Sequence, residues 1–354
     1  MKFFNIDQHI SVIYDMQHLF RELGHQVHDW SISNHTWVLN KEKKSIPLLE
    51  NDNWKRMIKS KLWNEFFKQY QQELKDYDGF IACYSPMFAM LYQKFDRPVI
   101  INIPIRYEHP FSFDRHDWKR FNKFLVQGVD DGRIILVANN AYDKYYTEYF
   151  LDREVVHIPS MCDYYQKEYS GGNSGFICFS RQKRKGLSAR AMDKDEALGQ
   201  KYSTEDLIKF SGIIHFPYQV SFMSLFEQYA MNLPLFFPSQ DFLMELYARG
   251  DDILKEASWY RYFGRKPGSL IRGRGPHDPN DYTDLESVRH WIRFADYYDV
   301  SWMPFVQLFH SLSHLNSLME TCDSAALSKR MKSFNVLRKQ KIINLWRDII
   351  NHRM

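Results

Sequence analysis

Residues 213–239 read I-I-H-F-P-Y-Q-V-S-F-M-S-L-F-E-Q-Y-A-M-N-L-P-L-F-F-P-S. The apolar run ending at Phe216 predicts a strand, and Pro217 with Tyr218 turns the chain. Ser221 is then the expected cap of a helix over 221–231, and Pro234 opens a further strand over 233–237. Strand, turn, helix and strand at this spacing form the unit of a parallel sheet wrapped by helices. The first turn of such a helix faces the carboxyl edge of the sheet, where free N–H groups and the positive dipole end favour a diphosphate. Ser221 and Ser224 add hydroxyl donors without filling the space phosphates need, and backbone groups near Met223 assist.

The same alternation runs outward in both directions. Towards the N-terminus, strands are predicted at 3–6, 27–32, 79–83, 99–103, 133–138 and 154–158, with helices over 10–23 and about 54–74. Gly24 closes the first helix, and Asn139 or Asn140 caps the one that begins after residue 138. This half reads as a Rossmann-like domain, residues 1–162. Its first turn lacks G-x-G-x-x-G, which argues against nicotinamide binding. The polar, Gly- and Ser-rich stretch 163–174 reads as a linker. A second α/β pattern over 175–333 starts with a strand at 176–179 and includes a helix at 242–248. Residues 181–200 carry few apolar side chains and are expected to be a mobile loop. The apolar stripe of 334–354 predicts a C-terminal helix that packs back on the first domain.

At 354 residues and 44% hydrophobic, the chain can supply two ordinary cores. A balance of 47 Lys and Arg against 43 Asp and Glu leaves +4, too little for coating nucleic acid, though enough for a local anion site. Cys83, Cys162, Cys178 and Cys322 are far apart and form no C-x-x-C, as in a reduced, cytoplasmic protein. No apolar run reaches the roughly 18 residues of a membrane span; peripheral membrane contact stays open. The 14 histidines include no H-E-x-x-H and no paired Cys/His cluster, so no metal and no cofactor is expected. Asp193 and Asp195 form a D-x-D without an apolar strand before it, and R-G-R-G at 272–275 reads as flexible surface.

Glu227, Ala230 and Pro234 match E-x-x-A-x-x-x-P, and here the chain resembles the donor-binding domain of GT-B glycosyltransferases. The resemblance implies two Rossmann-like domains facing a cleft, with the C-terminal helix crossing between them. It also implies that Glu227 accepts hydrogen bonds from ribose hydroxyls, two acceptor oxygens for two vicinal hydroxyls. Many retaining members carry another glutamate eight positions earlier, where this chain has Gln219, so retention or inversion stays open. A second point of resemblance is F-I-C-F-S-R-Q-K-R-K-G at 176–186, in which Arg181 and Lys185 match residues that bind the donor phosphates. A solvated basic loop and a structural Glu227 are the plainer readings of the same residues.

In the first domain, Asp7 and His9 follow strand one, where several inverting members of the family place a catalytic His with a nearby Asp. A group with a pKa near working pH suits removal of the acceptor's proton. Arg106, Glu108 and His109 lie on the turn after residue 103, with Glu108 the next candidate base and Arg106 and His109 candidates for contact with a sugar. Trp37 is a candidate sugar platform. The implied reaction is transfer of a hexosyl or pentosyl group from a nucleotide-diphosphate sugar to a hydroxyl of a glycan or glycoconjugate. The alternatives are a nucleotide-sugar epimerase, a DNA-base glucosyltransferase, or a catalytically silent sugar- or protein-binding relative.

Overall fold

The computed structural model describes residues 1–34, 36, 42–49, 56–165, 167–169, 171–199 and 201–354. Two units divide the chain: Met1–Ser160 with Ser269–Pro276 and Ile342–Met354, and Met161–Gly268 with His277–Lys341.

The first unit begins with β1 (Lys2–Asp7), α1 (Ile10–Glu22), β2 (Gln26–Ser31), α2 (Ser60–Leu74), β3 (Gly79–Ala82) and β4 (Val99–Ile103). It continues with α3 (Arg115–Asp130), β5 (Ile134–Ala138), α4 (Ala141–Leu151) and β6 (Val156–His157). All six strands are parallel, in the order β2-β1-β3-β4-β5-β6. Strands β3, β4 and β5 are buried along their whole length, which is why they read as unbroken apolar runs and not as alternation. Helix α1 turns Ile10, Ile13, Met16, Leu19 and Phe20 inward, and the Phe20 ring meets Phe3 edge-on at 5.0 Å. Asn140 caps α4, its side chain accepting from the Asp143 amide at 2.7 Å. Helix α3, absent from the sequence expectations, supplies the crossover that parallel pairing of β4 and β5 demands; the Asp114 carboxylate caps it through the amides of His116 and Asp117. Residues 272–275 are no loose surface. The Arg274 amide donates to the Tyr149 carbonyl at 2.9 Å, Arg274 pairs with Asp152, and Gly273 lies directly against the Tyr149 ring.

The second unit holds β7 (Phe176–Phe179), β8 (Ala191–Asp193), α5 (Lys194–Leu198), β9 (Gly212–His215), α6 (Met223–Ala230), β10 (Leu235–Pro238) and α7 (Gln240–Ala248). After these come α8 (Trp259–Tyr262), α9 (Leu285–Ile292), β11 (Gln307–Phe309), α10 (Leu312–Thr321) and α11 (Ser324–Arg353). Its five strands are again all parallel, ordered β11-β10-β9-β7-β8. The stretch 181–200, expected to be a loop, contains β8 and α5, and the Asp193 carboxylate caps α5 through the Asp195 amide at 2.9 Å. Residues 163–174 fall within this unit, tied to it by Tyr169 N–H to Met231 O (3.1 Å) and Ser174 N–H to Lys209 O (3.1 Å). Helix α11 starts ten residues before the expected 334; its part up to Lys341 counts with the second unit and its part from Ile342 with the first.

Both sheets thus share one device. Strand order reverses between β1 and β3 in the first unit and between β7 and β9 in the second, and in open parallel sheets the crevice at the carboxyl ends of such a pair is where ligands bind.

Candidate active site

In the second unit, β7 runs out into Phe179–Ser180–Arg181 and β9 into His215–Phe216–Pro217–Tyr218. Between these ends lies a cavity of about 180 Å³, lined by these seven residues with Lys194, Phe222 and Ser224. Its walls are mostly aromatic. Tyr218 and Phe222 stack at 5.6 Å, and His215 lies flat on Phe237 at 4.7 Å. Burial holds the His215 pKa down at about 4, so the ring is neutral at working pH and behaves as one more flat wall; its Nε2 shares a 2.8 Å hydrogen bond with Gln228 Oε1.

Two cations give the cavity its charge. The Arg181 guanidinium lies 4.6 Å over the Tyr218 ring and pairs with Glu256. Glu256 is held by its backbone: its N–H donates to Tyr218 O at 3.1 Å, and its carbonyl accepts from Gln219 Nε2 at 2.7 Å. Lys194, at the end of β8, is the second cation. The N-terminus of α6 adds a polar edge. Its capping position is Phe222, which makes no side-chain cap, so Ser221, one residue earlier and buried, does not cap the helix as expected.

Of the donor-side residues expected from the sequence, Arg181, Tyr218 and Ser224 line the cavity, whereas Lys185, Gln219, Ser221, Met223 and Glu227 do not. Lys185 is exposed. Glu227 is buried at 7% exposure, and protein hydroxyls occupy both its oxygens: Tyr164 donates to Oε1 at 2.6 Å and Thr204 to Oε2 at 3.3 Å. Burial pushes its pKa up. Phe179, Ser180, Lys194, His215, Phe216, Pro217 and Phe222 line the cavity without having been expected. Only the placement of β8 beside β7 brings Lys194 here, and its sequence setting, between Asp193 and Asp195, gives no sign of it.

In the first unit, the ends of β1, β3 and β4 gather a second group. Asp7 ends β1 fully buried, within 3.4 Å of Asn5 Nδ2, and the Gln8 amide donates to Tyr84 O at 2.9 Å. His9 occupies the capping position of α1 without capping it, half-buried, its ring 5.6 Å from that of Tyr84. The His109 ring lies 6.4 Å from that of Tyr84, and its carbonyl accepts from Ser85 Oγ at 2.5 Å. Arg106 and Glu108 are placed differently. Arg106 is 1% exposed, 3.5 Å from Asp143 and 5.0 Å over the Tyr142 ring. Glu108 is wholly buried, accepting from Tyr146 at 2.9 Å and Ser112 at 3.0 Å, and burial raises its pKa to about 7. Trp37 lies outside the described residues.

Among the described residues the one cluster with metal-ligand spacing is Asp114, His116 and Asp117, on the surface at the start of α3, where Asp114 caps the helix. No described helix is long and apolar enough to cross a membrane.

No family model matches the chain, and no curated protein matches it. Among solved structures it is similar to the glycosyltransferase SnogD from Streptomyces nogalater, at 8% identity and a TM-score of 0.45, covering 97% of this chain and 98% of that one. The glycotransferase of kitacinnamycin stands at 7% identity and 0.43, covering 98% of each chain. Spinosyn rhamnosyltransferase SpnG, complexed with thymidine diphosphate, stands at 10% and 0.42, covering 98% of this chain and 100% of that one.

Proposed function

We propose that the protein is a glycosyltransferase that binds a nucleotide-diphosphate sugar in its second unit and transfers the sugar to an acceptor hydroxyl. The observation that carries this reading is the cavity between β7 and β9, with its aromatic rings and two cations. Flat rings suit a base or sugar face, and guanidinium, ammonium and helix amides suit phosphate oxygens. Cations held at a phosphate also stabilise the charge that grows on the leaving nucleotide as the glycosidic bond breaks. The hexosyl or pentosyl identity of the sugar and the nature of the acceptor follow from pocket contacts and not from the fold. His9, half-buried and two positions after the buried Asp7, is the proposed base for the acceptor's proton; Glu108, sealed from solvent, holds its own unit together instead.

Isothermal titration with uridine, thymidine, guanosine and adenosine diphosphates tests the binding half. At least one is expected to bind, and Arg181→Ala to weaken it by about 1.5–3 kcal/mol, the range for hydrogen bonds to charged groups. Slow hydrolysis of the matching nucleotide-sugar tests the transferase half. Replacing His9 by Ala is expected to lower turnover about 10²–10⁴-fold with donor binding nearly unchanged. Binding of none of the four would remove the reading; binding without turnover on any donor would leave a silent sugar-binding relative.

A further inference from the structure

We propose that Lys194 is the second phosphate-binding cation of the β7/β9 cavity, acting with Arg181 as a two-point clamp for a pyrophosphate group. The inference rests on the donor-site reading above and says which residues of this chain hold the charged part of the ligand. Arg181 follows β7 and Lys194 follows β8, two neighbouring parallel strands that register Phe176 with Ala191 and Cys178 with Asp193. Strands in a sheet lie about 4.8 Å apart, so the two cations project from neighbouring strand ends. Both line the cavity.

The setting of Lys194 fits this use. Its side chain is 29% exposed, its ammonium lies 5.7 Å over the Tyr202 ring, and Asp193, which caps α5, fixes the backbone from which it projects. Tyr202 in turn packs edge-on against Phe179 of the cavity wall, at 6.1 Å. The ammonium's nearest acid is Asp195 at 2.7 Å, itself 69% exposed. An ion pair that open to solvent adds little, whereas a phosphate inside an aromatic-walled cavity makes stronger charge-assisted bonds, so the ligand outcompetes Asp195 for the lysine. The other basic residues of the 181–185 turn are placed otherwise. Lys183 pairs with Glu196 at 2.8 Å, Arg184 pairs with Asp251 while lying 4.2 Å over Phe216, and Lys185 is exposed.

Titration calorimetry with inorganic pyrophosphate, the four nucleoside diphosphates and their parent nucleosides tests the assignment on the parent and on Lys194→Met, Lys194→Arg and Lys185→Met. Lys194→Met should weaken pyrophosphate and diphosphate binding tenfold or more while changing nucleoside affinity less than twofold. Lys194→Arg should bring diphosphate affinity back to within about threefold, and Lys185→Met should cost less than Lys194→Met. If the parent binds diphosphate and Lys194→Met binds it equally well, or if Lys185→Met is the more damaging change, the clamp is wrong while the donor site stands. Equal losses for nucleoside and diphosphate would make Lys194 a structural support, which also overturns the proposal. A parent protein that binds neither pyrophosphate nor any diphosphate removes the donor site itself, and the clamp with it.

Discussion

Glu108 shows how a single buried carboxyl governs the pH response of its unit. Its pKa is raised by burial from 4.5 to about 7, so the folded state binds a proton more tightly than the unfolded chain does. The stability this contributes is fully present below pH 4.5 and is lost as pH rises through 7. At ~1.4 kcal/mol per pH unit the loss is on the order of 3–4 kcal/mol. Glu108→Gln keeps an acceptor for Tyr146 and Ser112 and removes the charge. Denaturant midpoints measured from pH 4.5 to 8 should fall less steeply for this variant than for the parent; parallel curves would show that Glu108 ionises at no cost. Glu227 raises a different question, because its oxygens accept from Tyr164 and Thr204 and not from open space. Truncating it takes the acceptor from the half-buried hydroxyls of Tyr164 and Thr204, at about 1 kcal/mol. Glu227→Ala should therefore lower the unfolding temperature measurably. A variant of parental stability that no longer binds nucleotide would return Glu227 to the ribose role implied by the resemblance.

Among the elements, those that sequence reasoning misjudged are the ones whose order comes from neighbours. The stretch 163–174 has a linker's composition, yet Gly172 sits so close to the backbone carbonyls of Lys209 and Phe210 that a Cβ would collide with them, and Ser211 Oγ bonds its carbonyl at 3.0 Å. Backbone cannot yield as a side-chain tip does. Gly172→Ala should destabilise the protein by about 1–3 kcal/mol, the range for overpacking, read by chemical denaturation. An alanine variant with an unchanged midpoint would mean that the segment is not docked in solution. Likewise, A-M-D at 191–193 is too short and too polar at its end to read as a strand, and becomes β8 only through its pairing with β7.

At the scale of the whole molecule, α11 is the longest element, 30 residues spanning about 45 Å. Its last turns bury Ile342, Trp346, Ile349 and Ile350, and Trp346, at 2% exposure, meets the Phe20 ring at 5.6 Å within the first unit. Trp346→Ala should cost about 3–5 kcal/mol, measured by thermal or denaturant unfolding, as for other buried Trp residues. A change below 1 kcal/mol would mean that the chain's last turns are dispensable to that unit's core.

The sequence by itself determined the alternation of strand and helix, and hence two parallel α/β units, because buried parallel strands must be apolar on both faces and their crossovers must be amphipathic. It also placed Arg181 in the loop after a strand, and Tyr218 and Ser224 at a strand–helix turn, since such turns open at the carboxyl edge. Tertiary structure alone decided which strands are neighbours. That choice put the order reversals at β1/β3 and β7/β9, brought Lys194 into one cavity with Arg181 across 13 positions of sequence, drew residues 269–276 into the first unit, and set protein hydroxyls against Glu108 and Glu227. Local pattern carries the period of each segment; which segments pair, and which side chains meet at their ends, depends on packing between residues far apart in the chain.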